Sequence, residues 1–174
     1  MEAARAAAAH VEIISRNSEA IAAAVQRAAP GGQRIAVAES RDLPAELLDT
    51  TRKLPGVFTG RSKTELATAD VGVTEAFAAV ARTGSLCVAV DEGDSGYISL
   101  LARTHVAIVA SDSIVENPSD LFRRSNNDLD ARRVAPQGLA RNFVFVTGPS
   151  ATADMGPLVR GVHGPHHLQI LILE

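Results

Sequence analysis

The chain has 174 residues, of which 46% are apolar and 21% charged, and its formal net charge is -3. This length is enough for one domain with a sizeable core, and the acidic balance argues against a nucleic-acid binder, which normally carries a basic stripe. Charged residues interrupt the Ala-rich start, and no window approaches the roughly 20 apolar residues of a membrane span. The sequence therefore predicts a cytoplasmic protein.

The segment 1–29 is predicted to be helical. Alanine dominates it and no Gly or Pro intervenes. Asn17 or Ser18 is expected to cap a second helical piece, which ends at Pro30.

The segment 30–90 alternates between short apolar runs and helical patterns. Strands are predicted over the apolar runs at 34–39, 57–60, 71–73 and 85–90. Helices are predicted over the stretches between them: 45–53 behind Pro44, 64–70 behind the capping-box pair Ser62 and Glu65, and 74–82, capped by Thr74 and ended by Gly84.

The segment 91–174 contains three more apolar runs of strand length. These predicted strands are 105–110, 142–148 and 167–173. A turn is expected at 91–96, and Asn117 followed by Pro118 predicts a helix over 118–124. The polar stretch 124–138 has no clear period and is expected to run over the surface.

The strand candidates are apolar on successive residues, which is typical of strands buried on both faces. We therefore predict a three-layer α/β/α fold with a mostly parallel sheet of about six or seven strands. Antiparallel or irregular pairing is expected between 85–90 and 105–110, and between 142–148 and 167–173, because no long crossover helix is evident there. A single domain is expected over residues 1–174, with a helical part at 1–60.

The segment TGPSATADM, residues 147–155, combines a glycine–proline turn with several hydroxyl side chains and an aspartate. It follows a predicted buried strand, and ligands of open α/β sheets bind outside the carboxyl ends of strands. Its glycine and hydroxyls can form an anion-binding concavity. The alternative is that Ser150, Thr152 and Asp154 only hydrogen-bond the turn. Ser150 also lies in a weak match to the G-x-S-x-G nucleophile elbow.

A second furnished turn, GVHGP, follows at residues 161–165. Its His163 is able to act as an acid, a base or a metal ligand. A zinc site formed with His166 and His167 is not expected, because neighbouring strand residues point to opposite faces. His105 begins an apolar run and is interpreted as a satisfied buried histidine.

Three stretches together resemble the lactate utilisation protein C family, a LUD-domain family. They are VGVTEAFAAVARTGSLCVAV, SLLARTHVAIVASDSIV and VFVTGPSATADMGPLVRGVHGPHHLQILIL. The resemblance runs from Val71 to Glu174, and the pair TGPSATAD and GVHGP is its most specific part.

The resemblance implies a fold like that of the NagB/RpiA/CoA-transferase superfamily. It also implies a role in a three-protein system that oxidises L-lactate to pyruvate, in which partner proteins carry iron–sulfur clusters. This chain has one cysteine, whereas a cluster normally takes four, so no cofactor or metal is expected on the chain itself. The alternative function is a stand-alone enzyme resembling sugar-phosphate isomerases or acyl-CoA transferases.

Carried over residue by residue, the resemblance indicates a site for a small anionic metabolite. His163 and Asp154 are the predicted catalytic residues. The predicted ligand-binding residues are Thr83, Gly84, Ser85, Thr147, Gly148, Ser150, Thr152, Gly161 and Gly164. The sequence departs from the family pattern at Glu75, Arg82 and Gly156, where relatives usually have Gly, Glu and Glu.

Overall fold

The computed structural model describes residues 1–31, 33–90, 94–121, 142–153 and 156–174. Its elements, in chain order, are α1 (Glu2–Ala6), β1 (His10–Ile14), α2 (Ser18–Ala28), β2 (Ile35–Val37), a 3₁₀ turn (Ala45–Leu48), α3 (Asp49–Arg52), α4 (Lys63–Leu66), β3 (Val71–Glu75), β4 (Ala78–Val80), β5 (Ser85–Val90), α5 (Ser95–Leu101), β6 (Thr104–Ala110), a 3₁₀ turn (Ser111–Ser113), β7 (Ile114–Val115), β8 (Asn142–Val146), β9 (Ala151–Thr152), β10 (Val159–Arg160) and β11 (His167–Leu173).

A five-stranded parallel sheet in the order β1-β11-β6-β3-β2 forms the centre of the fold. Alternate residues of β6 bury opposite faces. Val106 and Ile108 pack with α2 and with Leu48 of the 3₁₀ turn Ala45–Leu48, whereas Ala107 and Val109 pack on the other side. The predicted α/β class with a mostly parallel, doubly buried sheet is therefore confirmed.

The second face of the parallel sheet is covered by α1, α4, α5 and a smaller sheet of order β7-β4-β5-β8. In this smaller sheet β5 pairs antiparallel with both β4 and β8. Antiparallel pairing thus occurs, but the predicted pairs are wrong: β5 does not pair with β6, nor β8 with β11, because β6 and β11 pair with each other in the parallel sheet.

The prediction of helix throughout residues 1–29 is wrong at residues 10–14. Ala8 has a positive φ of 65°, which ends the first helical turn, and the segment HVEII then forms β1 beside β11. Its Val11, Ile13 and Ile14 are β-branched, so they suit a strand better than the alanines around them. The Asn17 cap of α2 is confirmed, because its side chain accepts a hydrogen bond from the Ala20 N–H.

The predicted helix over 74–82 is also wrong. The chain continues through β3 to Glu75 and then forms β4, which turns back into β5. Gly84, with φ of 68°, belongs to that hairpin turn rather than to a helix end. Strand pairing on both sides overrides the alanine-rich helical propensity of this segment.

Smaller differences concern the connections. The strand candidate 57–60 forms a single bridge, between Val57 and Ile35. The expected turn at 91–96 extends too far, because α5 begins at Ser95. Residues 118–121 are helical as predicted, whereas the polar stretch 124–138, for which a surface course was expected, lies outside the described residues. The capping box of Ser62 and Glu65 is confirmed.

Candidate functional site

A cleft of about 530 Å³ opens where α5 and β8 flank the amino ends of β6 and β11. Its volume falls within the range of small-molecule sites, roughly 300–1,000 Å³. His105 and Leu168, each the second residue of its strand, contribute from the parallel sheet. The remaining lining residues come from α5, from β8 with the loop behind it, and from the turn before β11: Gly96, Ser99, Leu100, 144–151, His163, Gly164 and Pro165.

The segments TGPSATADM and GVHGP meet in space at this cleft. The Ser150 N–H donates to the Pro165 carbonyl oxygen at 2.9 Å, and the Gly161 N–H donates to the Ser150 carbonyl oxygen at 2.9 Å. Just beyond, β9 and β10 pair antiparallel. Two loops that are separate in sequence are therefore fixed to each other by backbone hydrogen bonds, so Ser150 and His163 line one cavity.

The loop after β8 requires a glycine at position 148. Gly148 has φ of 74°, and a Cβ atom there would overlap the carbonyl oxygen of Ala7 at the end of α1. Gly84 approaches the backbone of Ala4 in the same helix in a similar way. Both glycines thus let α1 lie close beneath the two turns.

Three hydroxyls connect the β4–β5 turn to the cleft loop. The Thr83 Oγ1 and Ser85 Oγ atoms lie 2.8 Å apart, and Ser85 Oγ lies 2.7 Å from Thr147 Oγ1. Thr147 lines the cleft, whereas Thr83 and Ser85 stand behind it. The two latter residues therefore hold Thr147 rather than face the cavity.

The predicted site residues divide into two groups. Those that line the cleft are Thr147, Gly148, Ser150, His163 and Gly164; those that lie outside its lining are Thr83, Gly84, Ser85, Thr152 and Gly161. Thr152 pairs with Val159 in the small ladder, and Gly161 packs against the His166 ring. Asp154, the second predicted catalytic residue, lies outside the described residues. The roles of these residues stay predictions.

The cleft lies at the opposite edge of the parallel sheet from the one expected. The sequence argument assumed that the strand before TGPSATADM ran with the parallel sheet, so that the loop would lie at the carboxyl edge. That strand is β8, which belongs to the smaller sheet. Its loop consequently reaches His105 and Leu168 at the amino edge.

His105 is the buried polar residue of this cleft that sequence reasoning missed. It is 0% exposed, and its Nε2 lies 2.8 Å from the Thr74 Oγ1 atom. Its Nδ1 has no hydrogen-bond partner among the described residues, which is unusual for a buried polar atom. Burial lowers the pKa of His105 from 6.5 to about 4, so the ring is neutral near pH 7. Thr74 and His105, polar residues in neighbouring apolar strands, were the available signal.

Glu75, one of the three departures from the family pattern, lies at the carboxyl edge of the parallel sheet. This buried carboxylate accepts hydrogen bonds from the backbone N–H groups of Arg41, Asp42 and Leu43 at 2.6, 2.9 and 3.1 Å. The Ser40 hydroxyl lies 2.8 Å from the same carboxylate. Glu75 therefore fixes the loop that follows β2.

The other two departures have plainer surroundings. Arg82 donates to the Asn117 side-chain oxygen at 3.3 Å. Gly156 has φ of 152° and open space around its Cα. Neither residue lines the cleft.

Within the described ranges, no group of three or more His, Cys, Asp or Glu side chains is placed to hold a metal ion. Cys87 is buried in β5. No helix among the described residues is both long and apolar enough to cross a bilayer.

Comparison with known proteins agrees with this α/β architecture. The sequence model of the LUD domain matches residues 1–173. The chain therefore belongs to the LUD domain family, as its resemblance predicted, and the match extends over the segment 1–60 as well.

The curated relatives include two proteins named lactate utilization protein C. The one from Macrococcus caseolyticus is 30% identical over 107 residues, and the one from Oceanobacillus iheyensis is 27% identical over 107 residues. Each alignment covers 61% of this chain, but only 45% and 44% of those proteins. The chain thus spans less than half the length of these relatives.

A solved structure supports the fold across nearly the whole chain. A DUF162 family protein from Deinococcus radiodurans superposes with a TM-score of 0.69, covering 99% of this chain and 93% of that one. The two sequences are 21% identical, so the likeness concerns the fold.

Proposed function

We propose that this protein takes part in L-lactate utilisation, in a system that oxidises L-lactate to pyruvate together with iron–sulfur partner proteins. The proposal is supported by relatives named lactate utilization protein C, and by a 28% identical stretch of a Bacillus pumilus protein named lactate utilization protein B. The single buried cysteine of this chain leaves the clusters to the partners.

The contribution of this chain is to bind a small organic acid in the cleft at the amino edge of the sheet. The observation that carries this step is the junction of the two furnished loops, which brings Ser150 and His163 to one cavity. The Ser150 hydroxyl supplies a donor for a carboxylate, and the His163 imidazole supplies a donor or a proton acceptor at the rim. The resemblance to the family makes Asp154 a second candidate for proton transfer.

Binding is tested with the purified chain by thermal unfolding and calorimetric titration. The probes are L-lactate, pyruvate, inorganic phosphate, a sugar phosphate and coenzyme A. A ligand at 100 times its dissociation constant adds about 2.7 kcal/mol of stability. We expect lactate or pyruvate to stabilise the chain. Stabilisation by the sugar phosphate or by coenzyme A instead would favour the stand-alone enzyme.

The matched variants are Ser150→Ala in the cleft and Ser113→Ala, whose hydroxyl lies beside Asp112 after β6. Ser150→Ala should weaken acid binding about tenfold with less than about 0.5 kcal/mol lost in stability, since it removes one hydrogen bond to a charged ligand from a partly exposed position. Ser113→Ala should change neither quantity. Equal affinities of the two variants for the acid would contradict the assignment of acid binding to the cleft.

The partner requirement is tested by turnover. We expect L-lactate-dependent pyruvate formation only when the chain is combined anaerobically with its iron–sulfur partners. Turnover of lactate, a sugar phosphate or an acyl-CoA by the chain alone would contradict that part of the proposal.

A further inference from the structure

His105 is one of the residues that line the cleft, and its ring nitrogen Nδ1 has no hydrogen-bond partner among the described residues. His105 belongs to the same face of β6 as Ala107 and Val109, the face that the smaller sheet and α5 cover. Its neighbour in register on β3 is Gly72, whose missing side chain lets Ile98 of α5 and Ala102, the residue after α5, approach closely. The imidazole therefore sits beneath α5, at the base of the same cavity that Ser150 lines.

The contact with Thr74 determines which nitrogen of His105 carries the proton. Thr74 is 1% exposed, and the only acceptor that its hydroxyl reaches among the described residues is His105 Nε2. A buried hydroxyl needs an acceptor for its proton. When the Thr74 O–H donates to Nε2, the neutral ring carries its remaining proton on Nδ1.

We propose that the Nδ1–H of His105 is a hydrogen-bond donor to the ligand of this cleft, and that the ligand offers it a carboxylate or carbonyl oxygen of a small 2-hydroxy or 2-oxo acid. The class of acid rests on the proposed function; the donor rests on the geometry of Thr74 and His105. The sequence-based interpretation of His105 as a buried residue is confirmed, but it is wrong that the ring is satisfied, because Nδ1 has no partner within the part of the chain that the structure describes.

An oxygen of the ligand compensates a donor that folding has already desolvated. A buried N–H without an acceptor costs free energy in the ligand-free protein, and a charged acceptor in a low-dielectric pocket forms the stronger kind of hydrogen bond. Because the Thr74 hydroxyl fixes the ring, the donor is oriented before the ligand arrives. Thr74 is accordingly a positioning residue and His105 a binding residue.

The protonated nitrogen is measured first, in the wild-type chain with ¹⁵N-labelled histidine. We expect the NMR signals of His105 to report the Nδ1–H form in the free protein, and its Nδ1–H signal to move on addition of pyruvate or L-lactate. In Thr74→Val the ring loses its hydroxyl donor, so a shift of the proton towards Nε2 is expected. An Nε2–H form in the wild-type chain would overturn the proposal whether or not a ligand is found.

Two substitutions of His105 then separate ligand binding from packing. His105→Asn keeps an N–H near the Nδ1 position, whereas His105→Gln places its amide near Nε2, keeps a partner for Thr74 and loses the donor to the cleft. We expect pyruvate or lactate to bind His105→Asn within about threefold of wild type and His105→Gln at least about tenfold more weakly. A purely structural role predicts the reverse preference, because the Thr74 contact survives in His105→Gln.

The outcomes distinguish this inference from the proposed function. Wild-type binding that His105→Gln leaves unchanged would overturn the donor role alone and assign Nδ1 to a buried water molecule. Binding of neither acid to the wild-type chain would overturn the assigned ligand class together with the proposed function. If neither substituted chain folds, the NMR measurement on the wild-type chain decides the question.

Discussion

The two edges of the parallel sheet use their buried polar groups in opposite ways. At the carboxyl edge, Glu75 accepts three backbone N–H groups from the loop after β2. Arg52 and Arg61 donate to the carbonyl oxygens of Ala38 and Val37 at the end of β2. At the amino edge, His105 is equally buried but keeps Nδ1 without a partner among the described residues, beside a cleft.

Under the proposed function, this difference separates an edge that holds a loop from an edge that binds a ligand. The polar groups at the carboxyl edge form hydrogen bonds with one another, so their contribution is to hold a loop. At the amino edge, Thr74 contacts His105, and the Thr83 and Ser85 hydroxyls hold Thr147. His105 and Thr147 both line the cleft. A group that is oriented but not fully satisfied is what a preorganised ligand site requires.

The largest expected effect of a single substitution is at the carboxyl edge. Glu75→Ala removes the acceptor of three backbone N–H groups and should lower the free energy of unfolding by about 4 kcal/mol, at about 1–3 kcal/mol for the buried Leu43 donor and about 1 kcal/mol for each of the two part-buried donors. Urea denaturation measures this loss, and the exposed Glu46→Ala is its control. A loss below about 1 kcal/mol would mean that the 40–43 loop does not depend on Glu75.

The next effect is a pH dependence from the amino edge. The pKa of His105 falls from 6.5 to about 4 on folding, so between these values the unfolded chain binds a proton that the folded chain does not. Stability is therefore lost as the pH falls from 7 to 4, by up to about 3 kcal/mol from this residue. The measurement compares denaturation of wild type and His105→Gln across this range. Parallel curves would show that His105 protonates freely in the folded protein.

A smaller effect sharpens the role of the glycine in the cleft loop. Gly31→Ala places a side chain at φ of 77° in open space and should cost about 1 kcal/mol. Gly148→Ala has a similar φ but adds the overlap with the Ala7 carbonyl oxygen, so it should cost about 2 kcal/mol more. Thermal unfolding of both variants measures the difference. Equal losses of stability in the two variants would show that close packing against α1 does not constrain this loop.

Much of this architecture is predictable from the sequence because the strands of the parallel sheet are largely buried. Continuous apolar runs identified β2, β3, β5, β6 and β11, and also β8, although Val144 and Phe145 of β8 are exposed. Two elements were mispredicted within or beside alanine-rich sequence: β1 pairs with the distant β11, and β4 pairs with the distant β7 as well as with its hairpin neighbour β5. Such non-local pairing leaves no local signal that outweighs helical propensity.

The candidate site was predictable in part, because some of its signal lies in the local sequence. Glycine and hydroxyl content singled out the two loops, which carry their own local chemistry. Which edge they occupy depends on the sheet to which β8 belongs, a property of pairing rather than of the segment. His105 was misinterpreted because burial is evident from its apolar neighbours, whereas an unsatisfied nitrogen appears only in three dimensions.

The most direct test of the central claim is amide NMR of the ¹⁵N-labelled chain titrated with pyruvate and with L-lactate. We expect the amide signals of Thr147, Gly148, Ser150, Ala151, His163 and Gly164 to move with ligand concentration, while those of residues 40–43 around Glu75 stay in place. Movement confined to 40–43, or no movement at either edge at saturating acid, would contradict the assignment of binding to the amino edge of the sheet.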